Sequence, residues 1–143
     1  MPALDEHPLA AALRARGQRV TPQRLMVADV VGGLHGHATA ETIFREVAQR
    51  MPGVSLPTVY ATLELLEGLG VVRRVATDRG AVVYDPRTDE HHHLACRRCG
   101  AIVDVAAPVE ADALLAAARS AGFAPDRTEV VIRGVCAACA AAG

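Results

Sequence analysis

The chain has 143 residues, room for one ordinary domain or two small ones, and 51% of them are apolar, so a core is available. Two Tyr, two Phe and no Trp make it poor in large side chains, a shortage that small units commonly offset with a metal or a partner subunit. The net charge of -1 excludes a uniformly basic coat, and no run approaches the about 18 to 20 apolar residues of a membrane helix.

No membrane partner is therefore expected. Met1–His7 carries Asp5 and Glu6 and lacks the basic-then-apolar order of a secretory leader, so the expected location is cytoplasmic. The basic residues are all arginine. Residues 1–84 hold nine Arg against eight acids, and residues 85–143 hold six against eight. Arg14, Arg16, Arg19 and Arg24 occupy a stretch free of acids between Glu6 and Asp29. Such a patch can meet phosphate without a basic chain around it, although it also suits a solvated helix face.

In chain order, Leu9, Ala12 and Leu13 predict a short first helix ending at Gly17. Thr21-Pro22 predicts the start of a second, a capping hydroxyl followed by proline at the first helical position. Leu25, Val27, Ala28, Val30, Val31 and Leu34 carry that helix to Gly32-Gly33. Thr39 caps a third with Ile43, Phe44 and Val47 inward, closing before Met51-Pro52-Gly53. Ser55 caps a fourth with Val59, Leu63, Leu66 and Leu69 on one face, ended by Gly70. The period then shortens: residues 71–75 and 81–84 read as strands joined by the turn Asp78-Arg79-Gly80. Helices followed by a hairpin are the order of a winged helix-turn-helix, with the fourth helix as the one for the major groove.

Residues 85–90 are polar and contain proline, and read as a hinge. Beyond it come strands at 91–95 and 101–105, a helix from about Pro108 to Ala121, and a strand over 128–133. The expected fold class is α+β: a winged helix-turn-helix domain over 1–84, then a small α/β domain over 91–143 with a four-cysteine zinc site.

That site is read from spacing. Cys96-x-x-Cys99 and Cys136-x-x-Cys139 are the chain's only cysteines, each pair following a strand. A two-residue spacer lets both sulfurs reach one ion, and two such knuckles complete a tetrahedral sulfur-four shell suited to structural Zn(II). The alternatives are a redox pair or two unrelated pairs. With the shell filled by thiolates, the zinc has no open position for catalysis. His91 and His93 leave one face of a strand and His92 the other, with Asp104 on the next strand and Asp85 where the hairpin meets the hinge. Imidazoles with carboxylates suit Fe(II), Mn(II) or Zn(II), while three adjacent histidines also occur as plain surface.

Taken together, Thr21-Pro22-Gln23-Arg24, Pro57-Thr58-Val59-Tyr60, Tyr84-Asp85, the run His91-His92-His93-Leu94-Ala95-Cys96-x-x-Cys99-Gly100, Asp104 and Cys136-x-x-Cys139 resemble the ferric uptake regulator (Fur) family from about Leu9 to Cys139. The likeness is greatest to its peroxide-sensing PerR branch. It implies a homodimeric, metal-dependent repressor that binds palindromic double-stranded operator DNA. It also implies a regulatory Fe(II) or Mn(II) on His37, Asp85, His91, His93 and Asp104, with His35 as an alternative to His37. Iron-sensing members typically have glutamate where Asp85 and Asp104 stand, which favours the peroxide branch, in which oxidation of His37 or His91 to 2-oxo-histidine releases metal and DNA. The other reading is an iron-responsive repressor without peroxide sensing. A further site of some members would fall on Glu90, His92 and Thr128, and Thr128 is a poor ligand. DNA contacts are expected from Arg19, Thr21, Gln23, Arg24, Ser55, Thr58, Tyr60 and Thr62. Many relatives have Arg or Asn where Ala61 stands, which leaves base contacts to Tyr60, Thr58 and Thr62. No His-Glu-x-x-His helix, Gly-x-Ser-x-Gly elbow or phosphate loop points to an enzyme.

Overall fold

A computed structural model describes residues 3–77 and 80–143. The chain divides into two compact units, Met1–Thr88 and Asp89–Gly143. In the first, a 3-10 turn (Leu4–Glu6) precedes α1 (Ala10–Ala15), α2 (Pro22–Gly32), β1 (Ala38–Thr39), α3 (Ala40–Arg50), α4 (Leu56–Gly68), β2 (Arg73–Ala76) and β3 (Val82–Asp85). In the second follow β4 (His92–Cys96), β5 (Ile102–Val105), α5 (Asp112–Ser120), β6 (Val131–Gly134) and α6 (Ala137–Ala141).

Three hydroxyls start the helices of the first unit. Thr21 Oγ1 accepts the Arg24 N–H at 3.3 Å, Thr39 Oγ1 that of Thr42 at 3.2 Å, and Ser55 Oγ that of Thr58 at 3.3 Å. Each satisfies an N–H that the first helical turn leaves without a partner. On α1 the inward residues are Ala10 and Leu13, joined by Leu9 before the helix, and Ala12 is exposed. Leu25, Val27, Val30 and Val31 bury more than one stripe of α2, which packs against both α3 and α4. Ile43 and Val47 of α3 and Val59, Leu63 and Leu66 of α4 complete this core.

The hairpin forms as the alternation predicts, with Val75 opposite Val83 and Arg73 opposite Asp85. Its predicted tip residues Asp78 and Arg79 lie outside the described residues, and beside them the Thr77 N–H donates to the Ala81 carbonyl at 2.9 Å. The two-residue β1, too short to show a period, pairs with the other edge of β3, Ala38 opposite Tyr84. Asp85 belongs to this sheet as the last residue of β3, rather than to a polar hinge.

In the second unit β4 is the central strand, antiparallel to β5 and parallel to β6. The helix begins at Asp112 instead of Pro108, with the Asp112 carboxylate in the first turn, where the helix dipole favours negative charge. The last strand begins at Val131 instead of Thr128, and the terminal alanines form α6. Among the described residues the unit buries three apolar side chains, Ala95, Cys96 and Ala111, beside its three histidines. Leu94, Val103 and Ile132, each on a different strand of its sheet, are exposed, and with Val135 they line an apolar groove of about 380 Å³.

Candidate metal centres

The two knuckles meet at the end of the β4–β6 pair. Cys96 closes β4 opposite Gly134, and the Arg97 N–H donates to the Gly134 carbonyl at 2.9 Å. All four Sγ atoms lie within 4.8 Å of one another, and those of Cys99 and Cys136 are 3.8 Å apart. Thiolates about 2.3 Å from a tetrahedral zinc stand about 3.8 Å apart, so the cluster has zinc dimensions and not those of disulfides. The Cys136 N–H donates to Cys96 Sγ at 3.3 Å, and the Arg98 guanidinium donates to the Cys139 carbonyl at 2.8 Å, tying one knuckle to the other.

Backbone N–H groups of Cys99 and then Cys136 hold the Cys96 thiol down to about 5. The Cys139 thiol, sharing its proton with Cys136 and Cys99, is pushed up to about 12. Four thiolates must face a bound zinc, so uptake displaces the Cys139 proton and weakens as pH falls. This donor set fits a structural Zn(II) on Cys96, Cys99, Cys136 and Cys139.

Histidines and aspartates form a close group within each unit. In the first, His37 Nε2 lies 3.2 Å from Asp85 Oδ2, both side chains buried, and Asp85 Oδ1 accepts the Arg87 N–H at 2.9 Å. His35, two residues away, is exposed. The pairing of β1 with β3 brings His37, just ahead of β1, to the end of β3 that carries Asp85.

In the second unit, β4 and β5 set His93 opposite Asp104. Asp104 Oδ1 lies 3.4 Å from His93 Nε2 and 3.7 Å from His91 Nε2. The two rings are 4.7 Å apart at 69°. Each points its other nitrogen away: His91 Nδ1 lies 2.7 Å from the Asp89 carbonyl, and His93 Nδ1 lies 3.0 Å from Glu129 Oε1. His92, expected on the opposite face, accepts the Val130 N–H on Nδ1 at 3.2 Å and so fastens the approach to β6. Imidazole nitrogens with aspartate oxygens fit a divalent ion of the iron or manganese kind. Sequence reasoning missed Glu129, since an acid two residues ahead of a strand has no motif. Only the parallel pairing of β4 with β6, His93 opposite Val131, brings it near.

The residues expected to meet DNA are less uniform. Arg19, Gln23 and Ser55 are exposed, and Tyr60 on α4 is 43% exposed. The Tyr60 hydroxyl donates to Glu41 Oε1 at 2.6 Å, and Arg24 Nη1 donates to the Arg19 carbonyl at 2.7 Å. Through that bond the phenol shifts above and the Glu41 carboxyl below their ordinary values. Thr21 and Ser55 act as caps, and the Thr58 hydroxyl lies 2.9 Å from that of Ser55. Thr62 is a correction: it is 3% exposed and its hydroxyl donates to the Thr58 carbonyl at 2.8 Å, so it belongs to the buried face of α4 and cannot read a base.

The pattern of the Ferric uptake regulator family matches residues 15–133. The chain belongs to that family. The transcriptional regulator FurA of Mycobacterium tuberculosis is 39% identical over 131 residues, covering 91% of this chain and 88% of FurA. The peroxide-responsive repressor PerR of Staphylococcus epidermidis is 30% identical over 129 residues, covering 90% and 86%. A solved zinc uptake regulator, complexed with zinc and DNA, superposes with a TM-score of 0.65 at 28% identity, covering 92% of this chain and 90% of that one. Membership makes this protein a metal-dependent transcriptional regulator, and the resemblance to the family holds. Among the described residues no helix is long and apolar enough to cross a membrane.

Proposed function

We propose that this chain is a homodimeric repressor of palindromic operators that senses hydrogen peroxide through one regulatory Fe(II) or Mn(II). His37 and Asp85 from the first unit and His91, His93 and Asp104 from the second would be its ligands. The observation that carries this reading is the pair of buried groups His37–Asp85 and His91–His93–Asp104, whose carboxylates are both aspartate. With iron(II) bound, such a set supplies one-electron reduction of hydrogen peroxide beside imidazole rings.

The rest falls to the chain's own residues. Three imidazole nitrogens and two carboxylate oxygens would hold the ion. By the resemblance to the peroxide-sensing branch, His37 or His91 would be the ring oxidised, and oxidising either would remove a ligand. Losing a ligand would release the ion and, with it, the operator. Moving from about 1% to 99% of the DNA-competent form takes about 5.5 kcal/mol of differential binding, within reach of a five-ligand site. The exposed Leu94, Val103 and Ile132 support the dimer, because a sheet face so apolar is covered in stable proteins. DNA binding is supported by the zinc uptake regulator complex and by the exposed α4 residue Tyr60. Cap hydroxyls and α4 give the helix start from which a groove-bound helix contacts bases.

The greater identity to FurA than to PerR favours a second reading, metal-responsive repression without peroxide sensing. Operator binding of the apo, Mn(II) and Fe(II) forms, each with and without peroxide, decides between them. Peroxide should release only the Fe(II) form and add oxygen to a peptide containing His37 or His91. Unmodified peptides with retained DNA binding leave the second reading, and equal binding by the apo form refutes both.

A further inference from the structure

We infer that Glu129 is the positioning residue for His93, fixing the ring with its proton on Nδ1 and its Nε2 lone pair free for a divalent cation. This rests on the proposed regulatory site and adds to it a residue outside the ligand set. Nε2 of His93 faces Asp104, while Nδ1 lies 3.0 Å from Glu129 Oε1. The two nitrogens diverge across Cε1, so a carboxylate on Nδ1 cannot share the ion held on Nε2. Glu129 must therefore act through the ring.

His91 meets a different partner through the same ring nitrogen. Its Nδ1 lies 2.7 Å from the Asp89 carbonyl, which can only accept, so the proton sits on Nδ1 and the lone pair on Nε2. A carboxylate oxygen likewise accepts, and Arg127 Nη2 lies 3.6 Å from Glu129 Oε2. Both Nδ1 of His93 and Oε1 of Glu129 are shut off from solvent, so water is poorly placed to substitute if the carboxylate is removed. The partners differ in strength. A neutral carbonyl orients His91, whereas a carboxylate both orients His93 and makes its Nε2 a better donor to metal, as outer partners of ligating histidines do.

The test is Mn(II) titration of the full-length, zinc-loaded protein, read by the electron paramagnetic resonance of free Mn(II), for wild type, Glu129→Ala, Glu129→Gln, Glu129→Asp and His93→Ala. Alongside it, long-range proton–nitrogen NMR of the Mn(II)-free protein reports the His93 tautomer. Glu129→Ala is expected to weaken Mn(II) about 10- to 100-fold and to let the Nε2–H tautomer appear, with zinc content unchanged. Glu129→Gln, which keeps size and an acceptor but not the charge, is expected near the lower end of that loss, about tenfold, and Glu129→Asp should recover most of the affinity. Should Glu129→Ala be unstable, Glu129→Gln carries the test. Wild-type affinity and tautomer in the Glu129 variants, with binding abolished in His93→Ala, overturn the role of Glu129 and leave the site standing. Undiminished binding in His93→Ala overturns the site reading and this inference together.

Discussion

The two units are stabilised in different ways. The first has a conventional interior: Leu13, Val27, Ile43, Val47, Val59, Leu63 and Leu66 are fully buried, and three side-chain caps start its main helices. The second buries almost no apolar side chain and leaves Leu94, Val103, Leu114, Phe123 and Ile132 exposed. Burial of apolar surface drives folding, so the second unit must draw on something else, strand pairing and ions on its cysteines and histidines.

The largest test of that contrast is removal of zinc, by chelation or by Cys96→Ser. Structural zinc contributes apparent free energies of about 10–16 kcal/mol in small zinc domains, so the second unit should lose its order. In amide NMR spectra the signals of 89–143 should collapse while those of the first unit persist. Simultaneous loss of both sets breaks the comparison. Next, Leu63→Ala should destabilise the first unit by about 3–5 kcal/mol in urea unfolding, leaving zinc content unchanged.

Ile132→Glu places a charge on the exposed sheet face. It should weaken self-association at least about tenfold, about 1.4 kcal/mol, by sedimentation, with each unit still folded. Unchanged association would mean that this face is not the one covered. The caps are smaller: Thr39→Ala and Ser55→Ala should each cost about 1 kcal/mol of first-unit stability in thermal melts.

The smallest effect is at Tyr60. Its phenol should ionise above the ordinary tyrosine range in an ultraviolet titration, because the bond to Glu41 stabilises the protonated form, and Glu41→Gln should bring it back. The sign follows from a raised value: the contribution is present at neutral pH and is lost as pH rises through the folded-state value.

Much of this was legible in the residues. Thr21-Pro22, Thr39 and Ser55 mark helix starts because a cap is a local bond between a hydroxyl and an N–H three residues on, complete within the sequence itself. The cysteine knuckles are legible for a similar reason, since a two-residue spacer dictates that both sulfurs face one point. Boundaries in the second unit were less so. The helix from Asp112, the strand from Val131 and the terminal α6 depend on neighbours, and alanine-rich stretches carry little period to read.

The sequence alone therefore determined what is local or combinatorial: the α+β order, the helix caps, the sulfur-four set and the membership that its motifs announce. Tertiary structure decided what depends on which strands become neighbours. It put Asp85 in a sheet beside His37, withdrew Thr62 from the groove face into the core, and set Glu129 against His93 through a parallel pairing that no spacing along the chain encodes. Distance along a chain constrains contacts over a few residues. Beyond that range, contacts are set by the packing of whole elements.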